Sequence, residues 1–179
     1  MGSFTHKPLV SVCTITYGHE KFIKDTINGV LMQEVDFPIE FIISDDCSPD
    51  KTEKVVQYYI DNHPKGNWIK YTKHAINKGM NPNFVWALNQ CKGNYIALCE
   101  GDDYWVDPLK LQKQVDFLEN NPGFTICFHK VKVLQDKNFS TDENIENRFP
   151  LNMDGVASLD DLLLNGNFIN TTSVVFKNN

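Results

Sequence analysis

Hydrophobic positions along the chain fall into short extended runs separated by helical periods. Residues 9–16, LVSVCTIT, are apolar and β-branched without a break, the pattern of a strand buried on both faces. Ile23, Ile27, Val30 and Leu31 then recur at i, i+4, i+7 and i+8, one face of a helix. Residues 39–44, IEFIIS, predict a second buried strand. Ser48-Pro49-Asp50 supplies helix-start chemistry, and Val55, Val56, Tyr59 and Ile60 give the following helix its apolar face. Residues 68–72 predict a shorter third strand, Phe84, Val85 and Leu88 a third helix, and residues 95–99 a fourth strand. Asp107-Pro108 reads as a cap and first helical residue ahead of Leu111, Val115 and Leu118. Residues 124–134 predict one long strand or two short ones, 159–164 a short helix and 172–176 a last strand. Residues 135–152 are polar and without period, and predict a mobile loop.

Strands alternating with helices of this length predict one α/β domain, residues 1–179, with a Rossmann-like, mainly parallel sheet flanked by helices. Ligands of such sheets bind beyond the carboxyl ends of the strands. The polar clusters of this chain fall there: Thr16-Tyr17-Gly18-His19-Glu20, Asp45-Asp46-Cys47-Ser48, Asn77-Lys78-Gly79 and Glu100-Gly101-Asp102-Asp103. Taken singly, Asp45-Asp46 also suits a plain strand end, and Asn77-Lys78-Gly79 a plain turn. Parallel topology would gather all four at one edge.

Charge and composition narrow the ligand. The 179 residues are 41% hydrophobic with a formal net charge of −6, so a core is within reach and a broad basic face for nucleic acid is excluded. Five cysteines form no CxxC pair and have no histidine at zinc-ligand spacing; a reduced, cytoplasmic setting is expected. No secretory signal precedes residue 9, and no apolar run is long enough to span a bilayer.

Three acids within four residues, Glu100, Asp102 and Asp103, follow an apolar strand directly. Like charges crowded this way fit a divalent cation, Mg2+ or Mn2+, which takes one or two protein carboxylates and completes its shell with phosphates and water. The ligand that matches is a nucleoside diphosphate, with Tyr17 able to stack on a base and a strand-end Asp able to accept from a base N–H or ribose hydroxyl. Neither GxGxxG nor GxxxxGK[ST] occurs, and Arg148 is the only arginine, which disfavours dinucleotide dehydrogenases and P-loop kinases.

In order and spacing, VSVCTITYGHEKFIKDTINGVLMQ, FIISDDCSPDKT and NYIALCEGDDYWVDPLKLQKQVDFL resemble the nucleotide-binding half of glycosyltransferase family 2, inverting enzymes of the GT-A fold. The resemblance covers residues 8–134, with a weaker echo in NGNFINTTSVVF. It implies a sugar transferred from a nucleotide donor, a UDP-sugar foremost, to a hydroxyl of a glycan or lipid-linked acceptor in cell-surface glycan synthesis, at the inner face of a membrane. It implies donor-binding roles for Thr16, Tyr17, Glu20, Asp45, Asp46, Asn77, Gly79, Glu100 and Asp102, with the metal on Asp102 or Asp103. Ile15 replaces a common proline, Gly18 a common asparagine, and Glu100 the first Asp of the DxD motif. Members carry a general base beyond the strand resembling residues 172–176. None is evident here: Asp142, Glu143 and Glu146 read as solvated charge and Asp160 and Asp161 as helix-start residues. The expectation is a donor-binding part that lacks some of the acceptor region. A non-catalytic nucleotide-sugar-binding module and a sugar nucleotidyltransferase are the alternatives.

Overall fold

The structure is a computed structural model and describes residues 7–132, 134 and 155–178. Six strands form one sheet in the order β3-β2-β1-β4-β6-β5. Four of them are parallel: β1 (Val10–Thr16), β2 (Ile39–Asp45), β3 (Ile69–Lys73) and β4 (Tyr95–Leu98). Two short strands, β5 (Ile126–Cys127) and β6 (Val175–Lys177), extend the β4 edge antiparallel.

The alternation of side chains along the strands builds two cores. Val10 and Val12 of β1, Phe41 and Ile43 of β2, and Tyr95 and Ala97 of β4 face one side. They meet α1 (Ile23–Leu31), α2 (Thr52–Asn62) and α4 (Lys110–Asn120) through Ile23, Ile27, Val30, Val56, Leu111, Val115 and Leu118. Cys13, Ile96 and Leu98 face the other side and meet α3 (Met80–Gln90) at Ala87. Burying one such aliphatic side chain is worth about 1.5–3 kcal/mol, so both faces of the sheet drive the fold.

The element boundaries depart from the sequence pattern in three places. Among the described residues of the predicted 124–134 run only Ile126–Cys127 pairs, and the last strand starts at Val175 after a 3-10 turn over Thr171–Ser173. β5 is the edge strand, with β6 as its one neighbour, and β6 joins it to β4 through ladders of two and three residue pairs. In α3 the buried positions are Asn83 and Ala87, while Val85 is exposed, because a polar cluster occupies the inner face there. Asp107 does cap the turn ahead of α4, its Oδ1 accepting from Leu109 N at 2.9 Å, but the helix proper begins at Lys110. A fifth helix, α5 (Leu159–Asn165), opens with a capping box between Ser158 and Asp161. The predicted loop 135–152, with Asp142, Glu143 and Glu146, lies outside the described residues.

Two sets of contacts hold the two ends of the sheet. Gly29 of α1 lies against the backbone of Trp105, where a Cβ would stand 2.7 Å from Trp105 N and 2.8 Å from its carbonyl oxygen. Gln33 ties the same region, donating to the Gly29 and Asp107 carbonyls and accepting from Leu111 N. At the other end Glu40, buried, accepts from Ser11 Oγ (2.6 Å), Lys92 N (2.7 Å) and Lys70 Nζ. Burial works to raise the Glu40 pKa, but the hydrogen bonds from Lys70, Ser11 and Lys92 outweigh it, and the carboxyl sits below its ordinary range.

Two outcomes are expected. In an open helix Gly→Ala would gain up to ~1 kcal/mol; Gly29→Ala should instead lose about 1–3 kcal/mol in urea denaturation, because the contact is with backbone that must shift. For Glu40, a carboxyl held below its unfolded value adds stability above that value and gives it up as pH falls through it. The stability of the wild type should therefore decline more steeply than that of Glu40→Gln below the ordinary carboxyl value of 4.5. Denaturation midpoints followed from neutral to acid pH provide the check, and parallel profiles would contradict it.

Candidate functional site

The sheet order puts β1 between β2 and β4. Chain order runs from β1 through β2 to β3 in one direction and then resumes at β4 on the other side of β1. The crevice between the carboxyl ends of β1 and β4 is therefore the topological switch point of the sheet. Ladder contacts continue past the strand ends and draw the loops together: Asp46 N donates to the Thr16 carbonyl (2.9 Å), and Gly101 N to the Ile15 carbonyl (3.0 Å).

On the β2 side two adjacent carboxylates do different work. Asp45 is fully buried, with Oδ1 accepting from Ser48 N at 2.7 Å and Oδ2 from Tyr71 OH at 2.6 Å. Burial, then the bond to Asp45, pushes the Tyr71 hydroxyl pKa well up. Asp45 thus shapes the turn from within, with a protein partner on each of its two oxygens. Asp46 accepts from Lys78 N (2.7 Å) and Gly79 N (2.9 Å), while its carbonyl accepts from Asn77 Nδ2 (3.1 Å). Each carboxylate oxygen keeps a second acceptor position. The loop it fastens turns into α3 at Gly79, whose φ of 87° favours glycine. Beneath it Ser44, His74 and Asn83 form a buried hydrogen-bonded cluster, which explains the polar inner face of α3.

On the β1 side the chain turns at Gly18, φ 70°, whose N–H donates to Ser48 Oγ. Glu20 reaches away from the crevice: its N–H donates to Asp50, and its carboxylate accepts from Lys51 N at 3.1 Å. Tyr17 leaves half of its side chain exposed at the rim.

The acids after β4 close the crevice. Gly101 packs so tightly that a Cβ would stand 2.7 Å from both His19 Nδ1 and Thr16 Oγ1. Those two atoms and Glu100 Oε2 are buried without a hydrogen-bond partner among the described residues. Such orphaned groups each cost about 1–3 kcal/mol, so three at one crevice mark a place awaiting partners. Asp102 is exposed, its Oδ2 4.0 Å from His19 Nε2. Asp103 is half-buried, and its pKa is pushed up to about 6 by burial, then by the charges of Glu100 and Asp102 and by a hydrogen bond with the Glu100 side chain, whose Oε2 is the oxygen left without a partner. Thr26 Oγ1 holds the Asp103 carbonyl at 2.7 Å, tying the acid loop to α1. Among the described residues no cluster of three or more His, Cys, Asp or Glu side chains has metal-binding geometry.

Thr16, Tyr17, Asp46, Asn77, Gly79, Glu100, Asp102 and Asp103 thus all lie at the strand ends and loops bordering one edge of the sheet, and the carboxylates of Asp45 and Glu20 are engaged within the protein. The sequence places His19 in the polar cluster after β1 but gives it no role of its own; its buried Nδ1 beside Gly101 emerges only in the fold. Beyond the acids a cleft of about 730 Å3 opens between the loop after β4, α4 and the turn at Thr171–Ser173. Trp105 fixes this wall by donating from Nε1 to the Thr172 carbonyl at 2.8 Å. No helix among the described residues is long and apolar enough to cross a membrane.

The comparisons with known proteins agree with this architecture. The model of glycosyl transferase family 2 matches residues 11–170. An uncharacterized protein of Mycobacterium tuberculosis is 39% identical over 169 residues, which is 94% of this chain and 46% of that protein. The UDP-Glc:alpha-D-GlcNAc-diphosphoundecaprenol beta-1,3-glucosyltransferase WfaP of Escherichia coli is 34% identical over 116 residues, 65% of this chain and 43% of that one. The chain therefore spans less than half the length of these relatives. S. aureus TarS in complex with UDP-GlcNAc superposes with a TM-score of 0.61 and 26% identity over 74% of this chain and 37% of its own. A mannosyltransferase of Pyrobaculum calidifontis in complex with GDP-Man and Mn2+ superposes at 0.60 with 22% identity, covering 70% of this chain and 37% of its own, a likeness of fold alone. With its four parallel strands, switch-point crevice and matched length, this GT-A chain belongs to glycosyltransferase family 2.

Proposed function

We propose that this chain is the donor-binding part of an inverting, metal-dependent glycosyltransferase that moves a sugar from a nucleoside diphosphate to a hydroxyl acceptor in cell-surface glycan assembly. The observation that carries the reading is Glu100 Oε2, buried and unpartnered beside Asp102 and Asp103 at the switch-point crevice. A strand end that served only to return the chain to water would not bury an acid oxygen without a partner.

The donor set fits Mg2+ or Mn2+: Asp102 and Asp103 offer hard carboxylate oxygens, and the diphosphate with water would complete the shell. Bound there, the ion would stabilise negative charge on the departing diphosphate as a Lewis acid. The chain's own residues account for the rest of donor binding. The half-exposed ring of Tyr17 stacks on the base. Asp46, already fastened by two backbone N–H groups, uses its remaining acceptor positions for a base N–H. Asn77 and Gly79 form the wall of that pocket, and Asp102 reaches the ribose. Inversion by direct displacement also requires a base for the acceptor proton, and no described residue is assigned that role.

Relatives support the donor class: TarS has been captured with UDP and with UDP-GlcNAc, and the E. coli relative is named for a UDP-glucose donor. A non-catalytic nucleotide-sugar-binding module remains the second reading, because no base is assigned.

Calorimetric titration of UDP, GDP and dTDP, with and without Mn2+, tests the proposal. One nucleotide should bind with metal at least about tenfold tighter than without it. Asp102→Asn/Asp103→Asn should abolish that metal-dependent gain while leaving the thermal midpoint near the wild-type value. Metal-independent binding, or an unaffected double variant, would overturn the assignment of these acids. In the full-length protein, transfer or slow donor hydrolysis would separate the enzyme from the binding module.

A further inference from the structure

Residues 91–93 cross β1 on the α3 side of the sheet. Ser11 and Cys13 are two positions apart on that strand, so their side chains share that face. Ser11 Oγ accepts from Lys92 N at 3.1 Å and from Gly93 N at 2.8 Å, and a Cβ on Gly93 would stand 2.6 Å from Ser11 N. Cys91, which ends α3, is thereby laid against Cys13 in the second core, beside Ala87. The two thiols are hydrogen-bonded to each other. Cys91 Sγ directs its own proton to the Ala87 carbonyl at 3.5 Å, so in the thiol pair it accepts from Cys13.

Both thiols are free, and they differ in access: Cys13 is buried, and Cys91 is partly open to solvent. The other three cysteines are engaged elsewhere, Cys47 Sγ with the Ala75 carbonyl, Cys99 Sγ with the Asp103 carbonyl and Cys127 Sγ with Gln114 Nε2. A reachable thiol with a second thiol directly behind it is the arrangement of an attacking and a resolving cysteine. The hydrogen bond from Cys13 draws the Cys91 pKa below its ordinary value against the opposing effect of burial. The same bond, and then burial, pushes the Cys13 thiol well up. The thiolate of the pair therefore forms on Cys91, the sulfur that solvent can reach.

We propose that Cys13 and Cys91 are a redox-active pair that closes reversibly to a disulfide when the protein meets a low-molecular-weight disulfide. The Cys91 thiolate attacks one sulfur of that oxidant, forming a mixed disulfide as the oxidant's S–S bond breaks and one small thiolate leaves. Cys13 then attacks Cys91 Sγ, and the protein S–S bond forms as the second small thiolate leaves. Two cysteine thiols are oxidised and one disulfide is reduced to two thiols, which take up the two protons that the cysteines lose. The bond closes a ring from the middle of β1 through β2 and β3 to the end of α3. The inference is independent of the glycosyltransferase reading, since neither thiol belongs to the loops at the crevice.

The test is incubation of the folded chain with bis(2-hydroxyethyl) disulfide, an acid quench, proteolysis and peptide mapping by mass spectrometry. The wild type should give the Cys13 and Cys91 peptides joined by a disulfide that dithiothreitol reverses, with the circular dichroism spectrum unchanged. In Cys13→Ala the reaction should stop at a mixed disulfide on Cys91, and in Cys91→Ser the buried Cys13 should stay reduced. A mixed disulfide that persists on Cys91 in the wild type overturns the resolving role of Cys13, and this observation needs no variant. A Cys91 that stays reduced, whether or not Cys47 or Cys127 reacts, overturns its attacking role. A Cys13–Cys91 bond that forms only once the spectrum reports unfolding overturns the pair as a property of the native fold.

Discussion

Two bare Cα atoms determine where the acids of this chain sit. Gly29 lets α1 approach the backbone of Trp105, and Gly101 lets the end of β4 nest against Thr16 and His19; a methyl group at either would stand closer to its neighbours than side chains pack. The segment from Glu100 to Trp105 is clamped between these approaches. Its polar backbone is tied as well, through Thr26 to the Asp103 carbonyl and Asp103 N to the Glu100 carbonyl. Three carboxylates can be crowded there because the loop lacks the freedom to relax away from their repulsion. Burial first, and then the charges of Glu100 and Asp102, push the Asp103 pKa up to about 6.

The parallel half of the fold was legible because its determinants are local and periodic. Residues 9–16 and 39–44 are buried on both faces and read as continuous apolar runs, and the helix stripes at Ile23–Ile27–Val30 and Leu111–Val115–Leu118 packed as their spacing implied. The edge was less legible. Neither Ile126–Cys127 nor Val175–Lys177 is long enough to carry a period, and their pairing depends on contacts some fifty residues apart that no window can see. Lys110 was hidden for a related reason. It stands one position from Leu111, and only the fold of Trp105 and the turn at Thr171–Ser173 covers it. Asp45 and Asp46 are adjacent and chemically identical, and their division of labour comes from Tyr71, 26 positions along the chain, which engages Asp45 alone.

Satisfaction of hydrogen bonds separates the structural polar groups from the functional ones. Glu40, Asp45 and the Ser44–His74–Asn83 cluster are as deeply buried as anything in the molecule, yet each has its partners. They stiffen the sheet at both ends. The unpartnered atoms, Thr16 Oγ1, His19 Nδ1 and Glu100 Oε2, do not scatter through this interior. All three belong to the loops at the β1–β4 switch point. A fold that meets its hydrogen-bonding needs elsewhere and leaves them open at one crevice has placed its unsatisfied groups where a ligand would complete them. The same reasoning extends to charge. Lys110 is the cationic counterpart of Glu100, buried on the far wall of the adjoining cleft without an opposite charge at ion-pair distance among the described residues.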